Sequence, residues 1–226
     1  MKSTKKRATE VRSRLLETYG QPVWRNRLPP LDELVSTILS QNTNDINRDR
    51  AFNALRERFP TWEEVRDADL SDVIDAIHSA GLANQKGHRM QRALQQITEE
   101  HGVLNLDFLE DLPLEEAKEW LLRFKGVGPK TAAIVLLFSL GKPAFPVDTH
   151  IYRVTGRLGL RPENITAEQA HNHLAELFDP VMYYDIHLNL IRHGREICHA
   201  RSPQCERCSL SDLCPFKQTR SREMHA

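Results

Sequence analysis

Apolar residues recur along the chain at intervals of three and four, separated by charged stretches, with almost no alternation of period two. That spacing gathers apolar side chains on one face of a helix and predicts an all-α protein. Helices are expected over 10–19, over 31–39 with Asp32 as N-cap, and over 46–58, 62–68, 70–79 and 86–100. A short helix at 107–111 follows, then 114–123, 131–140, 149–158, 167–177 and 184–198. Pro22, Pro29 and Pro30 mark a loop. Gly20, Gly81, Gly102 and Gly141 stand where helices should end. The longest apolar run, 131–140, falls far short of the roughly 18 residues a membrane span needs, so no membrane partner is expected. No apolar stretch follows the basic start at 1–7, so an export signal is not expected either.

Composition adds one complication. The net charge is zero, which argues against a nucleic-acid binder until the charges are placed. From 121 to 161 there are seven basic residues (Arg123, Lys125, Lys130, Lys142, Arg153, Arg157, Arg161) and one acid, Asp148. The preceding stretch 99–119 carries eight acids and a single lysine, Lys118. A basic block can build a local field that attracts phosphate, although a solvated helix face would read the same way.

The basic block contains the most informative segment. Around Gly126-Val127-Gly128-Pro129-Lys130-Thr131-Ala132 one helix ends, the chain turns tightly, and an apolar helix begins. Glycines let the backbone approach a ligand closely, and the new helix's free N–H groups suit a phosphate oxygen. This has the form of a helix-hairpin-helix that grips the DNA backbone without reading sequence; an ordinary helical corner is the plainer reading. Lys130, in the first turn, faces the positive end of the helix dipole, which should lower its pKa. A partly neutral amine there can attack a sugar C1′ and form a Schiff base, or an ammonium can simply pair with phosphate.

Lys142-Pro143-Ala144-Phe145-Pro146-Val147-Asp148 forms a stiff extended loop that brings Asp148 to an N-cap position. The carboxylate among cations should stay ionised and can stabilise a cationic sugar transition state, or it can serve only as a cap. His150 reads as structural.

Four cysteines, Cys198, Cys205, Cys208 and Cys214, lie within seventeen residues. Four thiolates can hold zinc or an iron–sulfur cluster; one close pair rather than two leans toward the cluster, and two disulfides are the third option.

Taken together, Leu39-Ser40-Gln41-Asn42-Thr43-Asn44-Asp45, the glycine hairpin, Val147-Asp148-Thr149-His150-Ile151-Tyr152-Arg153-Val154, His193-Gly194-Arg195 and the cysteine spacing resemble the endonuclease III family of helix-hairpin-helix DNA glycosylases. The resemblance runs from about Leu31 to Cys214. It implies two helical domains flanking a DNA-binding cleft. One is a six-helix barrel over 32–142 with the hairpin; the other joins 1–31 to 143–226 and holds a 4Fe–4S cluster on Cys198, Cys205, Cys208 and Cys214. The activity implied is base-excision repair: a glycosylase with AP lyase activity that everts a damaged pyrimidine from the duplex. By that resemblance Lys130 displaces the base at C1′, β-elimination cuts the strand, and Asp148 assists by activating Lys130 and stabilising positive charge. By the same resemblance the cluster is mainly structural and redox-responsive, not the reaction centre, and shapes a loop whose Arg201 and Arg207 should meet phosphate.

The DNA contacts implied are Gln41, Asn42, Leu82, Lys125, Gly126, Val127, Gly128, Thr131, Arg153 and Arg201. Asn42 stands where relatives carry a glutamine that fills the gap left by the everted base, so Gln41 could take over that task. Leu82 matches a wedge entering the stack, though a leucine there also reads as a loop anchor. Lys125 stands where many members have proline. The partner implied is double-stranded DNA with damaged bases or abasic sites, bound by a monomer in a bacterial or archaeal cytoplasm, near the nucleoid. The alternatives are a monofunctional glycosylase for mismatched thymine, uracil or adenine, against which Lys130 speaks, and a non-catalytic iron–sulfur DNA-binding module.

Overall fold

The computed structural model describes residues 2–23 and 27–223, with side chains described over 4–23 and 27–219. Met1 of the basic start lies outside that range. The described residues contain helices and loops and no strand, as the apolar periodicity predicts. In chain order the α-helices are α1 (Lys2–Tyr19), α2 (Pro30–Leu39), α3 (Asp45–Arg58), α4 (Trp62–Asp67), α5 (Leu70–Ala76) and α6 (Ala83–His101). They continue as α7 (Leu114–Leu122), α8 (Pro129–Ile134), α9 (Thr149–Arg157), α10 (Ala167–Leu177), α11 (Tyr183–Glu196) and α12 (Pro215–Glu223).

Three local expectations need correction. Asp32 is not an N-cap: α2 starts at Pro30, which suits a first turn because it has no N–H to leave unpaired. Asp32 instead accepts the indole N–H of Trp62 at 2.7 Å. The helix expected over 70–79 stops at Ala76 and a 3₁₀ turn, His78–Ala80, follows. The run 131–140 is α-helical only to Ile134 and then widens into a π-turn, Val135–Ser139. Both parts of that run pack on α2, so tertiary packing holds an apolar stretch whose spacing alone could not show the change of winding.

The chain divides into two compact units, Arg27–Lys142 and the combined segments Met1–Asn26 and Pro143–Ala226. In the first, α2 is the hub. Eight of its ten residues are buried, and it packs against α3, α6, α8 and the π-turn. Leu34, Ile38 and Leu39 are at most 1 % exposed, and each such side chain contributes about 1.5–3 kcal/mol by leaving water. The amphipathic α6 covers α4 and α5, burying Met90, Ala93, Leu94 and Ile97. In the second unit α11 packs on α9 and α1, and α10 on both of those helices. Asp185 of α11 is buried and receives a two-pronged hydrogen bond from Arg12 of α1, Nε to Oδ1 at 3.1 Å and the terminal nitrogen to Oδ2 at 2.5 Å. That pairing compensates the cost of a buried carboxylate.

Candidate functional site

In the unit Arg27–Lys142, α7 and α8 are joined by a turn in which the Val127 N–H donates to the Phe124 carbonyl at 3.0 Å. Gly126 has φ +92°, a conformation that a side chain strains, and an added Cβ would lie 2.6 Å from Arg89 Cδ. Gly128 has an ordinary φ of −102° and nothing within 4 Å of where a Cβ would sit. Its bareness therefore serves no internal contact and leaves backbone open to a ligand. Lys130, half-buried, stands two residues further on, in the first turn of α8. Lys125 is exposed. Val127 and Thr131 are buried (5 % and 4 % exposed), so any DNA contact there falls to the backbone. Arg123 is held elsewhere, pairing with Glu100 at 2.7 Å and lying over the Trp120 ring.

Gln41 and Asn42 occupy the loop between α2 and α3. The Gln41 amide nitrogen donates to the Gly126 carbonyl at 2.9 Å, and its oxygen accepts from Arg89 at 3.3 Å. That side chain is engaged in holding the hairpin. Asn42 is exposed, with φ +52°. Leu82, which precedes α6, is 54 % exposed with φ +51°. A leucine left half in water on a left-handed backbone is not a core anchor. Sequence reading missed two residues here. Ile46 is 72 % exposed at the start of α3, a feature only the structure reveals. Lys86 is buried, and its signal was legible: it occupies the apolar stripe 86, 90, 93, 94, 97 of α6.

In the other unit the segment before α9 is extended, and buried histidines hold its carbonyls. His171 Nδ1 lies 2.9 Å from the Phe145 carbonyl and His187 Nδ1 lies 3.0 Å from that of Pro146. This seats Asp148 at the N-cap, where Oδ1 accepts the Ile151 N–H at 2.7 Å, leaving Oδ2 without a cap bond. Arg153 departs from its expected phosphate role. Its Nε donates to the Cys198 carbonyl at 2.9 Å, and a terminal nitrogen donates to the Gly194 carbonyl at 2.8 Å and faces His150 Nδ1 at 3.0 Å. It braces the unit from within. The Gly194 position has no room for a side chain, since a Cβ would come 2.8 Å from His150 Cβ. Arg201 is exposed, and Arg207 donates to Gln204 at 2.7 Å.

Cys198, Cys205, Cys208 and Cys214 line one cavity, closed by Val154, Leu158, Ile197 and Phe216. Among the described residues no three His, Cys, Asp or Glu side chains converge to hold a single metal ion. Four thiols round one largely apolar hollow are a donor set that an iron–sulfur cluster takes. Burial pushes the Cys208 thiol up to about 11 and raises that of Cys214. Loading a cluster must therefore release those protons. The surroundings suit a charged sulfur. Arg157 donates to Cys198 Sγ at 3.3 Å and to the His199 and Ala200 carbonyls at 2.7 and 3.0 Å. Burial drives His193 down to about 4, so its ring is neutral. Tyr19 Oη lies 3.0 Å from Nδ1 and Cys208 Sγ 3.5 Å from Nε2. With Nε2 carrying the proton toward sulfur, Nδ1 accepts the Tyr19 hydroxyl, and both contacts are satisfied.

Residues 35–180 match the family described as HhH-GPD superfamily base excision DNA repair protein, and residues 198–214 match the iron–sulfur binding domain of endonuclease III. The chain belongs to the endonuclease III family. It is 35 % identical over 193 residues to the endonuclease III of Thermotoga maritima, covering 85 % of this chain and 86 % of that one. A relative from Arabidopsis thaliana is 39 % identical over 168 residues, but the chain spans 57 % of its length. Among solved structures, an endonuclease III trapped as a covalent intermediate with DNA superposes with a TM-score of 0.82 at 25 % identity, covering 96 % of this chain and 99 % of that one. As a member the protein carries a 4Fe–4S cluster, and the four-thiol cavity is the place its residues fit one. No helix among the described residues is long and apolar enough to cross a membrane.

Proposed function

We propose that this DNA-binding glycosylase/AP lyase removes oxidised or otherwise damaged pyrimidines, with Lys130 as nucleophile and Asp148 as its assisting carboxylate. One observation carries the reading: a half-buried lysine in the first turn of α8, two residues beyond bare backbone at Gly128. Gly126, Gly128 and Thr131 offer backbone N–H groups to phosphate, Val127 closes the turn that presents them, and Lys125 and Arg201 add positive charge. Leu82 enters the base stack and Asn42 faces the gap. The Lys130 amine attacks C1′, the C1′–N bond to the base breaks, and the base leaves with a proton. The C1′–O4′ bond then breaks, opening the sugar ring with O4′ leaving as a hydroxyl, and the nitrogen lone pair forms the imine. The imine acidifies C2′, loss of a C2′ proton expels the 3′ phosphate and nicks the strand, and water then frees the lysine. Asp148 stabilises the positive charge that develops on the sugar. Cys198, Cys205, Cys208 and Cys214 hold the cluster, whose task is to shape the loop 198–214. A monomer acting on chromosomal DNA in the cytoplasm fits this work.

A panel of duplexes containing thymine glycol, dihydrouracil, uracil or a T·G mismatch, scored separately for base release and nicking, tests the substrate class. Borohydride should trap wild-type protein on damaged DNA and should trap no Lys130→Gln protein. Base release without any trapped adduct would instead favour a monofunctional mismatch enzyme.

A further inference from the structure

Lys86 is 1 % exposed, and Nζ donates to the Leu39 carbonyl at 2.7 Å and to the Ala80 carbonyl at 2.8 Å. Leu39 is the last residue of α2, and Ala80 closes the 3₁₀ turn, so both carbonyls are end groups with no partner further along a helix. Three residues beyond Leu39 stands Asn42, and two beyond Ala80 stands Leu82, the two residues other than glycine with positive φ among the described residues of this unit. Such backbone strain persists only where the surroundings over-determine it. Packing does not explain a lysine here. Its stripe-mates Met90, Leu94 and Ile97 are fully buried apolar residues, and a methionine would fill the same space without desolvating a charge. The ammonium bridges two chain segments 41 residues apart, and a second tie runs beside it, from Ser79 Oγ to the Asn47 carbonyl at 3.3 Å.

We infer that Lys86 is a positioning residue for opening the duplex: its buried ammonium sets the two loops that present Asn42 and Leu82 to the base stack. The inference rests on the glycosylase reading above and adds a residue that touches no DNA. Loops set in this way matter where a base must be forced out of a stacked pair. They matter far less for cutting at an abasic site in single-stranded DNA, which has no stack to open.

Two rates on the cluster-loaded protein test this: single-turnover release of thymine glycol from duplex, and nicking of a preformed abasic site in single-stranded DNA. In Lys86→Met the ratio of the first to the second should fall roughly ten- to a hundredfold. 2-Aminopurine opposite the lesion should lose much of its unstacking signal. Should Lys86→Met not accumulate folded, Lys86→Arg keeps the charge, and its longer planar head displaces the two carbonyls, so the ratio should again fall. In a Leu82→Ala background either substitution should lower the ratio little further. Both rates falling in proportion, an unchanged ratio, or losses that multiply in the double variant would overturn the inference while leaving the glycosylase reading intact. A wild-type protein inert on both substrates would overturn both.

Discussion

The side-chain amide of Gln41 donates to the carbonyl oxygen of Gly126 over 2.9 Å, joining the loop after α2 to the hairpin turn. Arg89 of α6 completes the group, donating to Gln41 Oε1 at 3.3 Å and lying beneath Gly126 where a Cβ would collide with it. Gln41→Ala removes both of these partly buried hydrogen bonds, of which the one that fixes the hairpin, to Gly126, is worth about 1 kcal/mol. The loosened hairpin should weaken binding to a duplex holding an abasic-site analogue by roughly fivefold, with little change in a trapped adduct's yield at saturation. Titration by fluorescence anisotropy measures it. An unchanged affinity would mean that Gly126 holds its conformation unaided. Gly126→Ala adds strain at φ +92° and should weaken binding more than Gln41→Ala does.

The cap that Asp148 supplies and the catalytic part proposed for it can be separated by substitution. Its Oδ1 caps α9 through the Ile151 N–H, and asparagine caps equally well, whereas alanine costs about 1 kcal/mol. Asp148→Asn should therefore melt near the wild type, and Asp148→Ala lower by a few degrees. Both should lose glycosylase activity by at least roughly a hundredfold, since the neutral side chains cannot balance positive charge on the sugar. An active Asp148→Asn enzyme would reduce the residue to a cap.

These two cases mark what the sequence could disclose. Helix content, the hairpin and the Asp148 cap follow from local rules: apolar spacing, glycines before a proline, a carboxylate at the entry to a helix. The cysteine spacing only leaned toward a cluster, and the resemblance to the family supplied the rest. What escaped depends on long-range partners. Arg153 reads as a basic-block residue facing phosphate until its bonds to the Cys198 and Gly194 carbonyls are seen, 45 and 41 residues away. Thr131, an implied DNA contact, is covered by packing. Ile46 carries no mark in the sequence, because apolar residues in the first turn of a helix are usually core.

The Arg12–Asp185 pair ties α1 to α11, and its carboxylate is the buried member. Arg12→Ala leaves that charge unpaired in the interior, which should cost about 3–5 kcal/mol, whereas the double change to Arg12→Met with Asp185→Leu should recover most of the loss. Urea unfolding followed by circular dichroism on cluster-loaded protein decides. A single variant within 1 kcal/mol of wild type would place the pair among solvated surface bridges.

Lys86 gives a pH signature in the opposite sense to most lysines. Burial lowers its folded pKa to about 8, from the ordinary 10.5. Below pH 8 the amine is protonated in both folded and unfolded chains, and the cost of burying the charge is fully present. Between about 8 and 10.5 the unfolded chain still binds the proton and the folded one does not, so stability from this group rises with pH. The rise is at most about 3 kcal/mol, one pKa unit being worth 1.36 kcal/mol. Other groups titrate over the same range, but they are shared by wild type and Lys86→Met and cancel in the difference between them. Urea midpoints at pH 7, 8, 9 and 10 should show the wild type gaining on the variant through that window. A difference that stays flat or shrinks would mean that the Leu39 and Ala80 carbonyls hold the ammonium charged throughout, with desolvation the weaker effect.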